Sequence, residues 1–189
     1  MFGRFRGGIV MKLYLDLKGE KILSWNSAPV SDNSIEVEVD PGHELVRNPL
    51  KFIYRDGELI EDLTYLLEEV KQAKLDELNA ACQQAILDGF THEIDGKLYH
   101  FSFDVEAQFN FHASQTLFAN GVIEDIVWTA KLDGEYVRII ITKEIMDELT
   151  VAILRHKNGY ISKYRDFLAP LVQDATTIEE VNSIQWDSL

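Results

Sequence analysis

The feature that most constrains the fold is a change in hydrophobic period near residue 61. Before it, Leu13, Leu15 and Leu17 alternate with polar residues, which is the period of a half-buried β-strand. From Glu61 to Asp88, apolar residues recur every three or four positions without an intervening proline, which favours one long amphipathic helix. The sequence therefore predicts an α+β fold with a small N-terminal β module, a long helical connector and a C-terminal domain of β-hairpins plus helices.

The N-terminal β module is predicted over residues 11–60. Lys18-Gly19-Glu20 separates two apolar runs, and Asp56-Gly57 separates two more, so each pair of runs is typical of a hairpin. Between the hairpins, apolar and acidic residues alternate from Ile35 to Asp40, which predicts a strand with one solvated face.

Residues 1–10 differ in composition from the rest of the chain. They contain Arg4, Arg6 and three glycines but no acid, and the segment is too short and too glycine-rich for a signal peptide. Arg6-Gly7-Gly8 is what a purine-rich ribosome-binding site would encode if it were translated. We therefore expect residues 1–10 to be a non-native or flexible N-terminal extension and Met11 to be the natural start.

The helical connector is predicted over residues 61–89 and ends at Asp88-Gly89. Two sets of residues have heptad spacing but are out of register with each other: Leu63, Leu66, Val70 and Ala73, and Leu75, Leu78, Cys82 and Ala85. Two interpretations remain open, namely a short coiled coil with a break and a helix packed on its own chain.

The C-terminal α+β domain is predicted over residues 90–189. Asp95-Gly96 and Asp133-Gly134 each separate two strand-like runs and predict hairpins. Asp104 and Thr142 are placed to cap the helices that follow them.

Two further signals concern the helices near the C-terminus. Asn158-Gly159 interrupts the long helix that begins after Thr142 and predicts a kink there. The spacing of Thr176 and Glu179 predicts a capping box that opens a last short helix through Ile184.

The net charge of the chain limits the classes of molecule that it is expected to bind. Eighteen Lys and Arg against 32 Asp and Glu give a formal net charge of −14. Such a surface repels phosphate backbones and anionic headgroups, so we expect neither nucleic acid nor membrane as a partner. No apolar run approaches the ~18 residues of a membrane span. The single cysteine, Cys82, excludes an internal disulfide, and its alanine-rich surroundings indicate a small buried side chain.

Motifs of catalysis and metal binding are missing from the sequence. There is no Walker loop, no dinucleotide-binding glycine pattern and no nucleophile elbow. His92, His100 and His112, with Glu93 and Asp104, match no established metal spacing and are interpreted as polar surface residues. We therefore expect no catalytic residue, no metal, no cofactor and no enzymatic activity.

Aromatic residues leave one alternative open. Trp25 and Trp128 are candidates for stacking against sugars, although packing in a core or interface is the simpler interpretation. His156 falls on the apolar stripe of the long helix, which predicts a core histidine with one hydrogen-bond partner.

The segment from about residue 74 to residue 189 resembles a phage-encoded domain family of unknown function that is found on tail-fibre and tail-fibre-assembly-like proteins. The matching stretches are turns, caps and apolar stripes: Leu78–Phe90, Leu98–Asp104, Trp128 before Asp133-Gly134, Ile141–Glu144, Ile161–Arg165 and Ala175–Val181.

The segment from residue 11 to about residue 62 is similar to small N-terminal modules of phage tail or baseplate accessory proteins. Met11–Leu15, Ile35–Asp40 and Tyr54–Leu59 carry this likeness.

These resemblances imply a structural component of a bacteriophage tail tip, baseplate or tail fibre that acts through protein–protein contacts. They imply other phage tail or baseplate proteins as partners, a homo-oligomer such as a trimer or hexamer, and a place in the virion tail after synthesis in the bacterial cytoplasm. Leu63, Leu66 and Val70 are the candidate oligomer interface. An assembly chaperone absent from the mature particle and a module that binds host-wall carbohydrate are the alternatives.

Overall fold

The computed structural model describes residues 10–188, and within this range the chain combines two antiparallel sheets with α-helices, which confirms the α+β class. The expectations for residues 1–9 lie outside the described residues. Contacts along the chain divide it into two compact units, with the boundary between Val70 and Lys71. No helix in the described range is long and apolar enough to cross a membrane.

The first unit is built on five strands within the described range, in the order β3-β1-β2-β4-β5. Their bounds are β1 Met11–Lys18, β2 Lys21–Asn26, β3 Ile35–Val39, β4 Phe52–Arg55 and β5 Glu58–Glu61. Two short 3-10 helices, Glu44–Val46 and Pro49–Lys51, precede β4. The predicted alternation holds, because Leu13 and Leu15 on β1 are buried with Ile22, Val39, Leu45 and Phe52.

Helix α1, Leu63–Leu87, forms where the apolar spacing predicted a long helix. Asp62 precedes it, and its carboxylate accepts hydrogen bonds from the backbone N–H groups of Thr64 and Tyr65. These bonds satisfy two of the donors that a helix start leaves without an intrahelical partner. The first turns of α1 belong to the first unit, and the residues from Lys71 onward belong to the second.

The second unit contains four strands among the described residues, in the order β6-β7-β8-β9. The strands are β6 Phe90–Ile94, β7 Lys97–Phe101, β8 Asp125–Leu132 and β9 Glu135–Thr142. The helices are α2 Val105–Ala119, α3 Lys143–Ser162, α4 Ala169–Asp174 and α5 Ile178–Ser183.

The Asp-Gly hairpins form as predicted. Asp56, Asp95 and Asp133 have φ angles of 53°, 51° and 52°, and the glycine that follows each also has a positive φ. Two successive residues of positive φ define the type I′ turn, whose twist matches that of paired strands.

The core of the second unit is rich in aromatic rings. Phe90 stacks on Phe101 at 5.4 Å and meets Phe111 at 5.9 Å between ring centroids. Cys82 is buried in the same cluster, as predicted, and burial raises the pKa of its thiol.

One predicted detail of the C-terminal helices is wrong. The capping box lies one residue later, because Thr177 caps α5 and its hydroxyl accepts the N–H of Glu180. Gly159 lies inside α3, where the kink stays a prediction, and a π-helical segment follows α3 at Lys163–Leu168. Pro170 follows at the second residue of α4, directly after this π-helical segment.

Candidate functional site

Strand β8 has an open edge over most of its length. Its partner β9 pairs with every residue from Asp125 to Leu132. On the other side, β7 pairs with β8 at Lys131 and Leu132 alone within the described range. The edge from Asp125 to Ala130 therefore has no neighbouring strand among the described residues.

The open edge arises because the chain leaves the sheet after β7. Phe103 is 3% exposed in the aromatic core, so the chain turns inward two residues after β7 ends. Asp104 then caps α2 as predicted, and its carboxylate accepts the N–H of Ala107 at 2.8 Å. Helix α2 begins at the point where β7 would have continued along β8.

A groove of about 530 Å³ lies between α2 and the open edge, and we call it the β8 groove. Small side chains of α2, Ala107, Ala113 and Ser114, line one side of it, and Ile126 to Thr129 line the other. The volume falls within the range of about 300–1,000 Å³ that is typical of ligand pockets.

Backbone groups of β8 face this groove. The two-residue turn after β8 makes Leu132 and Glu135 a hydrogen-bonded pair, and such pairs alternate along an antiparallel ladder. Ile126, Trp128 and Ala130 therefore bond to β9. Val127 and Thr129 direct their N–H and C=O groups to the open edge.

The two ends of the β8 groove differ in chemistry. Asp104 and Glu106 line one end, and Leu117 and Val127 are apolar lining residues that are 39% and 49% exposed. No Lys or Arg lines the groove within the described range. The groove is therefore acidic and partly apolar, and it has backbone donors and acceptors along one wall.

The two candidate sugar-stacking residues are both half-buried. Trp128 packs against Phe111, with 4.4 Å between ring centroids. Trp25 donates its indole N–H to the carbonyl oxygen of Val46 at 3.1 Å and packs against the core of the first unit. Each ring contacts its own core, and sugar stacking stays a prediction for both.

The three candidate interface residues lie in the first turns of α1. Leu63 is 71% exposed, and Leu66 and Val70 are half-buried. Their spacing of three and four residues gives them a common helix face. None of the three is fully buried, so all remain available as a proposed contact surface.

The comparison with known families bears on the second unit. A family model described as a domain of unknown function, DUF4376, matches residues 69–185. The chain belongs to this family. Curated proteins and solved structures gave no match. The DUF4376 region begins within α1 and contains the whole of the β8 groove.

A second cavity of the DUF4376 region, about 610 Å³, brings together His92, His100 and His156. His92 contacts Glu148 at 3.3 Å, and the Nε2 atoms of His100 and His156 lie 3.0 Å from backbone carbonyls. A carbonyl only accepts, so both of those rings donate from Nε2. This confirms a packed, hydrogen-bonded role for His156.

The three histidines named from the sequence, His92, His100 and His112, do not share one site. His112 is exposed on α2 and does not line the cavity that holds His92 and His100. Over residues 10–188, no group of three or more His, Cys, Asp or Glu side chains is arranged to hold a metal ion.

Sequence reasoning missed the β8 groove of the DUF4376 region. Its main determinant is the end of the β7–β8 pairing, and an alternating pattern gives the faces of a strand but not its neighbours. One local signal was available: the cap residue Asp104 directly follows the strand-like run Leu98–Phe103, which indicates that this strand ends early.

Proposed function

We propose that the protein is a structural component of a bacteriophage tail tip, baseplate or tail fibre and acts through protein–protein contacts. The phage context rests on the sequence resemblance of the two segments. The contact function rests on the β8 groove, which is the observation that carries the proposal.

An open sheet edge is a template for pairing with another chain, and natural proteins usually cover or charge such edges. On β8 the edge lies beside a groove with exposed apolar side chains, Leu117 and Val127. An edge of this kind supports binding of a protein partner by strand addition.

A second contact surface supports assembly into a homo-oligomer, which we propose to be a trimer or hexamer. Leu63, Leu66 and Val70 form an apolar stripe that is only partly buried at the start of α1. In a closed cyclic assembly, the same stripe from each copy packs around the shared symmetry axis.

The test is quantitative mass spectrometry of gradient-purified particles from the producing phage or prophage. We expect the chain at a fixed copy number near that of baseplate proteins, with the capsid protein as internal standard. An abundant host protein measured in the same gradient controls for carry-over. A chain that is abundant in the lysate but absent from particles contradicts the proposal and supports an assembly chaperone.

A further inference from the structure

We propose that the β8 groove binds an extended peptide segment that carries Lys or Arg at one end and apolar residues at the other. The segment adds a strand to the open edge of β8. This inference rests on the proposed function because both make the groove a protein-contact surface.

The edge supplies the main-chain partners for such a strand. Val127 and Thr129 present alternate donors and acceptors, and the two residues are separated by one strand repeat. A neighbouring strand lies about 4.8 Å away from the edge it pairs with. On the other side of that position, α2 offers Ala107, Ala113 and Ser114, whose small side chains leave room for a backbone.

Charge selects the side chains of the bound segment. Asp104 and Glu106 line the groove near Ser102, where the chain leaves β7, and no basic side chain among the described lining residues balances them. A Lys or Arg of the peptide placed at this end forms an ion pair with these carboxylates. Leu117, Ile126 and Val127 provide an apolar surface in the same groove.

A second copy of this chain fits the groove less well than a separate peptide. A second copy that paired through its own β8 edge would also bring the α2 helix that lies beside that edge. In addition, each copy carries a net charge of −14. Like charges across an interface are unfavourable. A single extended basic segment avoids both problems.

The test uses the isotope-labelled full chain and seven-residue peptides with capped ends, observed by NMR. The probe carries Lys residues at one end and Val residues at the other. One control has Glu in place of each Lys, and the other is the probe with N-methylated backbone amides. We expect the probe to shift the amide signals of Val127 and Thr129, and both controls to bind about fivefold more weakly or worse.

Matched variants test the charge. Glu106→Lys is expected to weaken binding of the probe about fivefold, and raising the salt concentration is expected to weaken it further. Glu179→Lys is the control, because Glu179 is also an exposed acid in the first turn of a helix but lies outside the groove. It should leave binding unchanged.

Each contrary result overturns the inference. The inference is wrong if the probe does not bind or if the NMR shifts map outside the groove. It is also wrong if all three peptides bind with equal affinity, or if both variants lose the same amount of affinity for the probe. Self-association that is lost in Glu106→Lys would assign the groove to a second copy instead. The peptide titration needs no phage particle. Absence of the chain from particles therefore contradicts the proposed function, whereas absence of peptide binding contradicts the present inference.

Discussion

The indole ring of Trp128 on β8 packs against the ring of Phe111 on α2, with 4.4 Å between centroids and 30° between planes. Phe111 is buried in the aromatic core, whereas Trp128 also lines the β8 groove. The pair therefore joins β8 to α2 through the aromatic core that lies beside the groove.

Removal of this contact is expected to destabilise the second unit. Trp128→Ala should lower the free energy of unfolding by about 2–4 kcal/mol, below the full cost of a completely buried Trp. Val127→Ala, at the next position and 49% exposed, should cost less than about 1 kcal/mol. Urea denaturation measures both, and equal losses would contradict a packing role for Trp128.

Gly89 is expected to tolerate no side chain. Its φ is +96°, and a Cβ placed there would collide with the carbonyl oxygen of Phe101. Gly121 also has a positive φ, of +66°, but open space around it. Gly121→Ala should therefore cost about 1 kcal/mol from backbone strain alone, and Gly89→Ala at least ~2 kcal/mol more. Thermal unfolding of the two variants checks this, and similar melting temperatures would refute it.

The capping box of α5 predicts a dependence of stability on pH. The backbone N–H of Thr176, followed by its hydroxyl, holds the pKa of Glu180 below its ordinary value of 4.5. A carboxyl whose pKa is lower in the folded state stabilises the fold above the unfolded-state pKa. This contribution is lost as the pH falls through the folded-state pKa.

The stability difference between the natural chain and Glu180→Ala should therefore be present at pH 7 and shrink below about pH 4.5. Glu179→Ala, at the neighbouring exposed position, is the control, because the hydrogen bonds from Thr176 and Thr177 go to the Glu180 carboxylate. Urea denaturation across pH 3–7 measures both differences. A difference for Glu180→Ala that stays constant over this range would contradict the role of its carboxylate.

The stripe at the start of α1 predicts how the chain self-associates. Replacing both Leu66 and Val70 with Glu should abolish self-association and leave a monomer of 21.7 kDa, because buried unpaired charges oppose an apolar interface. Val151→Glu with Leu154→Glu, two exposed apolar residues of α3, is the control and should leave the oligomer intact. Sedimentation measures the mass, and an unchanged oligomer in the first variant would refute this interface.

Local signals predicted much of the fold. The three Asp-Gly turns and the caps at Asp104 and Thr142 depend on residues within a few positions of each other, and the structure confirms them. The capping box was misplaced because Thr176 and Thr177 precede Glu179 and Glu180 at the same spacing. Spacing alone does not distinguish the two pairs.

The β8 groove could not be predicted in the same way. It depends on how far β7 pairs with β8, and these strands are separated by the whole of α2. Burial of Phe103 decides where the chain leaves the sheet, and that burial is a property of the assembled core. Long-range packing of this kind leaves little trace in a local sequence pattern.

We propose that the β8 groove contacts a phage tail or baseplate protein, and site-specific photo-crosslinking tests this contact most directly. A photoreactive residue at Asn110, which lines the groove, would be compared with one at Glu179, which does not. In infected cells and purified particles, we expect the Asn110 position to crosslink to a tail or baseplate protein and the Glu179 position to give no such product. Absence of a product from Asn110, or the same product from both positions, would contradict the claim.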